Sequence, residues 1–199
     1  MIFSLLLIIY GTRLRTPDYF KLILMMQKRY PRQLSYGSNN PVIVINETEA
    51  GKIFSGDTRS DIGSEAEKMK FANSINSLVC QFKRIDLDEK NNWELLVMER
   101  IYALDYRSYE VEKRELWLEV FEDEIRKLHQ SGFVHHDLIR PSNISGEHFD
   151  NILLTETGLR LIDVGISSLR SQTGEKLFKK YVEVELNELQ KFKEFFLTR

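Results

Sequence analysis

Three short runs in the second half of the chain set chemistry-bearing side chains at the ends of apolar stretches. They are His135-His136-Asp137-Leu138, Asp150-Asn151-Ile152-Leu153-Leu154 and Leu161-Ile162-Asp163-Val164-Gly165. The stretches Ile152 to Thr155 and Leu159 to Asp163 flank Glu156-Thr157-Gly158, a compact hairpin signal. A hairpin of that length brings its two open ends together, so Asn151 and Asp163 are expected at one site. Upstream, Leu116, Val120, Phe121, Ile125 and Leu128 fall at steps that share one helical face, and Gly132 is placed to stop that helix. The helix and its stop lead directly into Asp137.

The remainder of the sequence sets the scale on which these runs must fold. With 199 residues, 42% of them hydrophobic, the chain can bury one ordinary core or two small lobes around a cleft, which excludes a large multidomain enzyme. A formal charge of −2 leaves no global electrostatic footprint for nucleic acid, so no nucleic-acid partner is expected. Cys80 is the single cysteine, which excludes an intrachain disulfide framework and a cysteine-based zinc site and favours a reducing, cytoplasmic setting. The apolar run between Ile2 and Tyr10 is far shorter than the roughly 20 residues of a membrane-spanning helix. It also lacks the basic lead and small-residue cleavage site of a secretory signal, so the reading is a buried segment with no membrane span.

Before the helix that ends at Gly132, the texture is strand-rich. Thr16-Pro17-Asp18 reads as a cap with proline at the first helical position, followed by a helix over Tyr19 to Tyr30. From Leu34 short β-type runs follow: Val42 to Ile45, Lys52 to Phe54, Leu78 to Leu87 and Glu94 to Ile101. Ser64 to Asn76 is set between them as a helix with Ala66, Met69 and Ala72 or Asn73 along one side. The last part, from about Glu175 to Arg199, reads as a helix with Leu186, Leu189, Phe192, Phe196 and Leu197 apolar.

Taken in order, the helix, H-H-D-L, N-I-L-L, the hairpin and L-I-D-x-G resemble the protein-kinase superfamily, with its H-R-D-L-x-x-x-N-I-L-L and D-F-G signatures. The resemblance implies an α+β, bilobal fold with a small β-rich N-lobe over 34–101 and a truncated, mainly helical C-lobe over 102–199, behind an extension over 1–33. It implies an ATP-dependent phosphotransferase of the minimal or atypical serine/threonine type, using ATP and Mg²⁺. In that class the chemistry is mostly positioning and neutralisation of charge on the phosphoryl group. By the same resemblance, Asp163 and Asn151 hold metal, and Asp137 orients the acceptor hydroxyl. Lys52 contacts the phosphates and is paired with Glu65, or with Glu67 as the alternative. Gly37 lies in the phosphate-binding loop, and Met98, Glu99 and Arg100 form the strand end and hinge that meet adenine. His135 is a structural residue of the loop.

The sequence also departs from the family pattern. Gly37-Ser38-Asn39-Asn40-Pro41-Val42 keeps one glycine where the pattern has three, and His136 replaces the usual arginine. The loop after Asp137 is lengthened: Ser142 stands five residues on, Asn143 follows, and Asn151 is the asparagine in the N-I-L-L context, so either Asn143 or Asn151 can be the metal-binding amide. Arg140 is displaced by one residue from the usual lysine position. No A-P-E signature follows Gly165, which weakens a peptide acceptor and leaves the acceptor as a protein or a small molecule. The alternatives are a pseudokinase-like protein that binds nucleotide or a partner with little turnover, and a small-molecule kinase. Glu185 on the last helix is either a support beneath the catalytic loop or part of a solvated face.

Overall fold

The computed structural model describes residues 33–35, 40–54, 61–88, 93–142 and 146–198. The expected helix over Tyr19 to Tyr30, the apolar run before it, Gly37 and Asn143 lie outside the described residues.

The first half is a five-stranded antiparallel sheet in the order β1-β2-β3-β5-β4. Its strands are β1 (Gln33–Ser35), β2 (Val42–Val44), β3 (Glu49–Phe54), β4 (Phe82–Asp88) and β5 (Trp93–Glu99). Side chains alternate across a strand, and this sorts the two faces. Ile53 joins Ile43, Leu95 and Val97 in a small cluster on one face. Lys52, Phe54 and Leu96 point to the other, with Lys52 paired opposite Leu96 in the register between β3 and β5. The helix α1 (Ile62–Asn73) covers that second face, burying Ile62, Ala66, Met69 and Ala72. Asp61 caps it by accepting the Gly63 N–H at 2.9 Å.

The expected strand over Leu78 to Leu87 is corrected: ladder pairing starts only at Phe82. Leu78, Val79 and Cys80 instead cross to the second half of the molecule. Cys80 N–H donates to the Leu161 carbonyl and Leu161 N–H to the Leu78 carbonyl, both at 2.8 Å. β-type residues there serve a bridge between the two halves of the fold.

The second half is built on α2 (Val111–Ser131) and α4 (Glu175–Thr198), with the four-residue α3 (Arg170–Thr173) before α4. Short paired strands fill the space between: β6 (Phe133–Val134) with β11 (Ser168–Leu169), β7 (Arg140–Ser142) with β8 (Gly146–His148), and β9 (Ile152–Thr155) with β10 (Gly158–Leu161). Gly132 ends α2 at φ +102°, as expected of a glycine stop. The buried face of α2 is corrected: Leu118, Phe121, Ile125 and Leu128 point inward, while Leu116 and Val120 are 63% and 62% exposed. On α4, Phe178, Leu189, Phe192 and Phe196 are buried and Leu186 is exposed. One apolar core runs from Phe54, Met69 and Leu96 through Phe121 and Leu161 to Phe192 and Phe196, so the sheet-helix layer and the helical half share it. Among the described residues no helix is long and apolar enough to cross a membrane.

Candidate active site

The face of β3 that meets α1 carries one charged residue, Lys52, which strand alternation turns inward and burial leaves only 6% exposed. Its Nζ donates to Glu65 Oε1 and Oε2 at 2.9 and 3.0 Å and to Asp163 Oδ1 at 2.8 Å. The two carboxylates come from opposite halves of the molecule. Glu65 sits on the inner face of α1 and is 2% exposed, whereas the Asp163 side chain is 50% exposed. Burial opposes the Lys52 charge, but the two carboxylates outweigh it and hold the ammonium above its ordinary range. Burial likewise works to raise Asp163, but the Lys52 charge, its hydrogen bond and the Gly165 N–H hold that carboxyl below its usual range. Glu65 is the deeper of the two, and there burial prevails and raises its pKa. Half-exposed Asp163 keeps water contact, while buried Glu65 is neutralised first by Lys52 and, more weakly, by the charge of Lys68. The alternative partner, Glu67, is exposed on α1 and contacts Gln172 instead.

A second cluster lies at the open end of the β9–β10 hairpin. Asn151 Nδ2 donates to the Asp137 carbonyl at 2.8 Å and to Asp137 Oδ2 at 3.0 Å. The Ile162 N–H donates to the Asn151 carbonyl at 3.0 Å, and His135 Nε2 lies 2.9 Å from the Ile162 carbonyl. Two separated sequence runs are thus pinned to one residue of the third, Ile162, beside Asp163. His135 is 1% exposed and acts in this frame, as expected of a structural residue.

The loop that carries Asp137 is held from α4. Glu185 is 2% exposed, lies 2.8 Å from His129 Nε2 through Oε1, and accepts the His136 N–H through Oε2. One turn later Glu188 accepts the Leu138 N–H at 3.3 Å, and burial raises its pKa. The N–H groups on both sides of Asp137 are therefore anchored on one helix. His136 is held at φ +70°, an uncommon conformation for a non-glycine residue, with its ring edge-on to Tyr181 at 4.1 Å. Of the two readings of Glu185, the solvated face is corrected and the buried support stands. Its sequence signal was a lone acid at an inward position among Phe178, Leu189 and Phe192.

Met98, Glu99 and Arg100 do not join either cluster. They end β5, where the Glu99 N–H bonds the Gln81 carbonyl and the Arg100 N–H the Thr48 carbonyl. The Glu99 carboxylate pairs with Arg160 at 2.6 Å and accepts the Gln81 N–H at 3.1 Å. Lys68 and Arg160 were not foreseen from the sequence. Lys68 lies one helical turn after Glu65, and helical spacing alone would have put it on the same face.

Among the described residues no group of three or more His, Cys, Asp or Glu side chains forms a ready metal cage. Mg²⁺ is typically held by one or two protein oxygens together with substrate phosphates and waters. The Asp163 carboxylate and the side-chain oxygen of Asn151, whose Nδ2 is committed to Asp137, are groups that could hold such an ion.

No protein-family model matches the sequence, and no curated protein matches it. Solved structures do resemble the fold. One is the Legionella pneumophila Lpg2603 kinase bound to IP6, at a TM-score of 0.59 and 18% identity, covering 84% of this chain and 60% of that one. Another is the Cydia pomonella granulovirus kinase PK-1, at a TM-score of 0.51 and 14% identity, covering 77% of this chain and 57% of that one. The chain thus spans about three fifths of the length of these two proteins. At such identities the likeness speaks for the fold: an antiparallel sheet with its helix set on a compact helical half, the protein-kinase-like fold that the motif order implied.

Proposed function

We propose that the chain is an ATP-dependent phosphotransferase of a minimal, kinase-like kind, moving the γ-phosphate of Mg-ATP to a hydroxyl acceptor. The observation that carries this reading is the Lys52 ammonium shared by Glu65 and Asp163, beside an Asn151 amide bonded to Asp137. In the reading, Lys52 binds the phosphate chain and Glu65 fixes its direction. Asp163 and Asn151 hold Mg²⁺, which when bound neutralises phosphate charge. Asp137 accepts or orients the acceptor hydroxyl proton, and Asn151, by donating to Asp137 Oδ2, keeps that carboxylate aimed. Asn151 is preferred to Asn143 because it contacts Asp137 and sits next to Asp163 across the hairpin end. Gly37 is assigned to the phosphates by the motif order alone, and Met98, Glu99 and Arg100 to adenine.

The acceptor is a protein side chain of the serine/threonine type or a small-molecule hydroxyl. The IP6 in the Lpg2603 structure makes inositol phosphates a reasonable part of an acceptor panel. The test is transfer of labelled γ-phosphate, with thermal shift for binding. Asp163→Ala is expected to abolish Mg-dependent ATP binding, and Asp137→Ala to keep binding but cut transfer by about a hundredfold or more. Unchanged transfer in Asp137→Ala sinks the assignment. A second reading, nucleotide binding without turnover, is favoured by the single glycine of the phosphate loop. Stabilisation by Mg-ATP with no transfer to protein, inositol phosphate or sugar acceptors would select it.

A further inference from the structure

Lys68 is a buried cation to which the proposed chemistry assigns no task. It follows Glu65 by one turn on the inner face of α1, and only 8% of it reaches solvent. A lysine stem can usually carry its ammonium out to water. This one turns inward, and Nζ donates to the Gly165 carbonyl at 2.9 Å. Burial pushes the ammonium below its ordinary range, and the charges of Glu65, Glu67 and Asp61 oppose that only in part. A buried charge resting on a neutral backbone oxygen carries a desolvation cost that an apolar residue would avoid.

The carbonyl it grips belongs to the turn that presents Asp163. Asp163 sits at φ +58°, a left-handed conformation that a non-glycine residue keeps only when its surroundings hold it. At Gly165 this turn lies close against a side chain of α1: a Cβ there would stand 3.3 Å from Glu65 Oε2 and 3.4 Å from Asp163 Oδ1. Two ammonium groups oppose relaxation of the turn, Lys52 on the Asp163 carboxylate and Lys68 on the carbonyl two residues later. In the proposed reaction Lys52 must share its donors with phosphate. Lys68 has no such second duty.

We propose that Lys68 is a positioning residue that latches the Asp163–Gly165 turn to α1, so that Asp163 stays presented to metal and phosphate whether or not nucleotide is bound. The latch is mechanical; only its consequence for metal rests on the phosphotransferase reading. Hydrogen exchange on the full chain without nucleotide tests it. In Lys68→Met, which keeps the length but removes the donors, the amides of Val164 to Ser167 are expected to exchange about tenfold faster or more. The β9–β10 hairpin is expected to stay unchanged, and Lys68→Arg to restore slow exchange. In a second arm, Lys68→Met is expected to need about tenfold more Mg²⁺ for half-maximal stabilisation by ATP. Unchanged exchange over 162–168 in Lys68→Met overturns the latch, as does a loss of protection spread evenly over the chain in both variants. If Lys68→Met does not fold, Lys68→Gln, whose shorter amide falls short of Gly165, carries the same measurement. A wild type that binds no Mg-ATP, with the exchange effect intact, defeats the phosphotransferase reading and leaves the latch standing.

Discussion

The ammonium of Lys52 serves two carboxylates that differ in depth, and that difference can be read by titration. Asp163 is lowered in the fold by Lys52 and the Gly165 N–H against the opposing effect of burial. A carboxyl with a depressed folded pKa stabilises fully above its unfolded value, about 3.9, and loses that contribution as pH falls through the folded value. Asp163→Asn is therefore expected to melt below wild type at neutral pH, with the gap closing below about pH 4. A gap that stays constant through the acid range would contradict the pairing. Glu185 makes a larger claim on stability. Replacing it with alanine strands the His136 N–H and removes the partner of buried His129, an expected loss of about 3 kcal/mol in urea unfolding. Lys52, Glu65 and Asp163 were legible in the sequence because motif order and strand or helix context place them before any contact is known. Glu185 was legible only as one of two readings, support or solvated face, because the element packed against it decides between them, and Lys68 is marked only by its one-turn spacing from Glu65, a signal shared by many solvated helix charges.

Among the elements, α2 shows where a periodic pattern falls short. Its apolar residues form two stripes, Leu118, Phe121, Ile125 and Leu128 on one side and Leu116 with Val120 on the other. Spacing identifies both as helical but does not say which one meets the core. Leu118→Ala is expected to cost about 2–5 kcal/mol and Leu116→Ala less than about 0.5 kcal/mol, read from unfolding midpoints. Similar losses at the two positions would mean that the outer stripe is covered. The hairpin that brings Asn151 beside Asp163 was legible, since two short apolar runs around a glycine turn have few other folds. The small β7–β8 pair within the lengthened loop was not, because Arg140-Pro141-Ser142 and Gly146-Glu147-His148 lack the β-branched and aromatic residues that mark a strand.

At the scale of the molecule, the two halves are tied at a second place besides the Lys52–Asp163 pair. Leu78 and Cys80 share backbone hydrogen bonds with Leu161, and Arg160 reaches from β10 to the Glu99 carboxylate at the end of β5. The broad α+β division was readable from the change in texture along the chain. The main-chain part of this tie was not, since it joins Leu78 and Cys80 to a residue about eighty positions on by groups that carry no sequence signature. It encloses the single cysteine: Cys80 is 1% exposed, with its thiol pKa pushed up to about 12, first of all by burial. A thiol so placed reacts only when the tie opens. Its alkylation rate is accordingly a clock on separation of the two halves, expected to slow when Mg-ATP is added. Rapid labelling of the native chain at neutral pH would show that the halves part freely. The molecule thus carries its own reporter of breathing, at a point no ligand needs to touch.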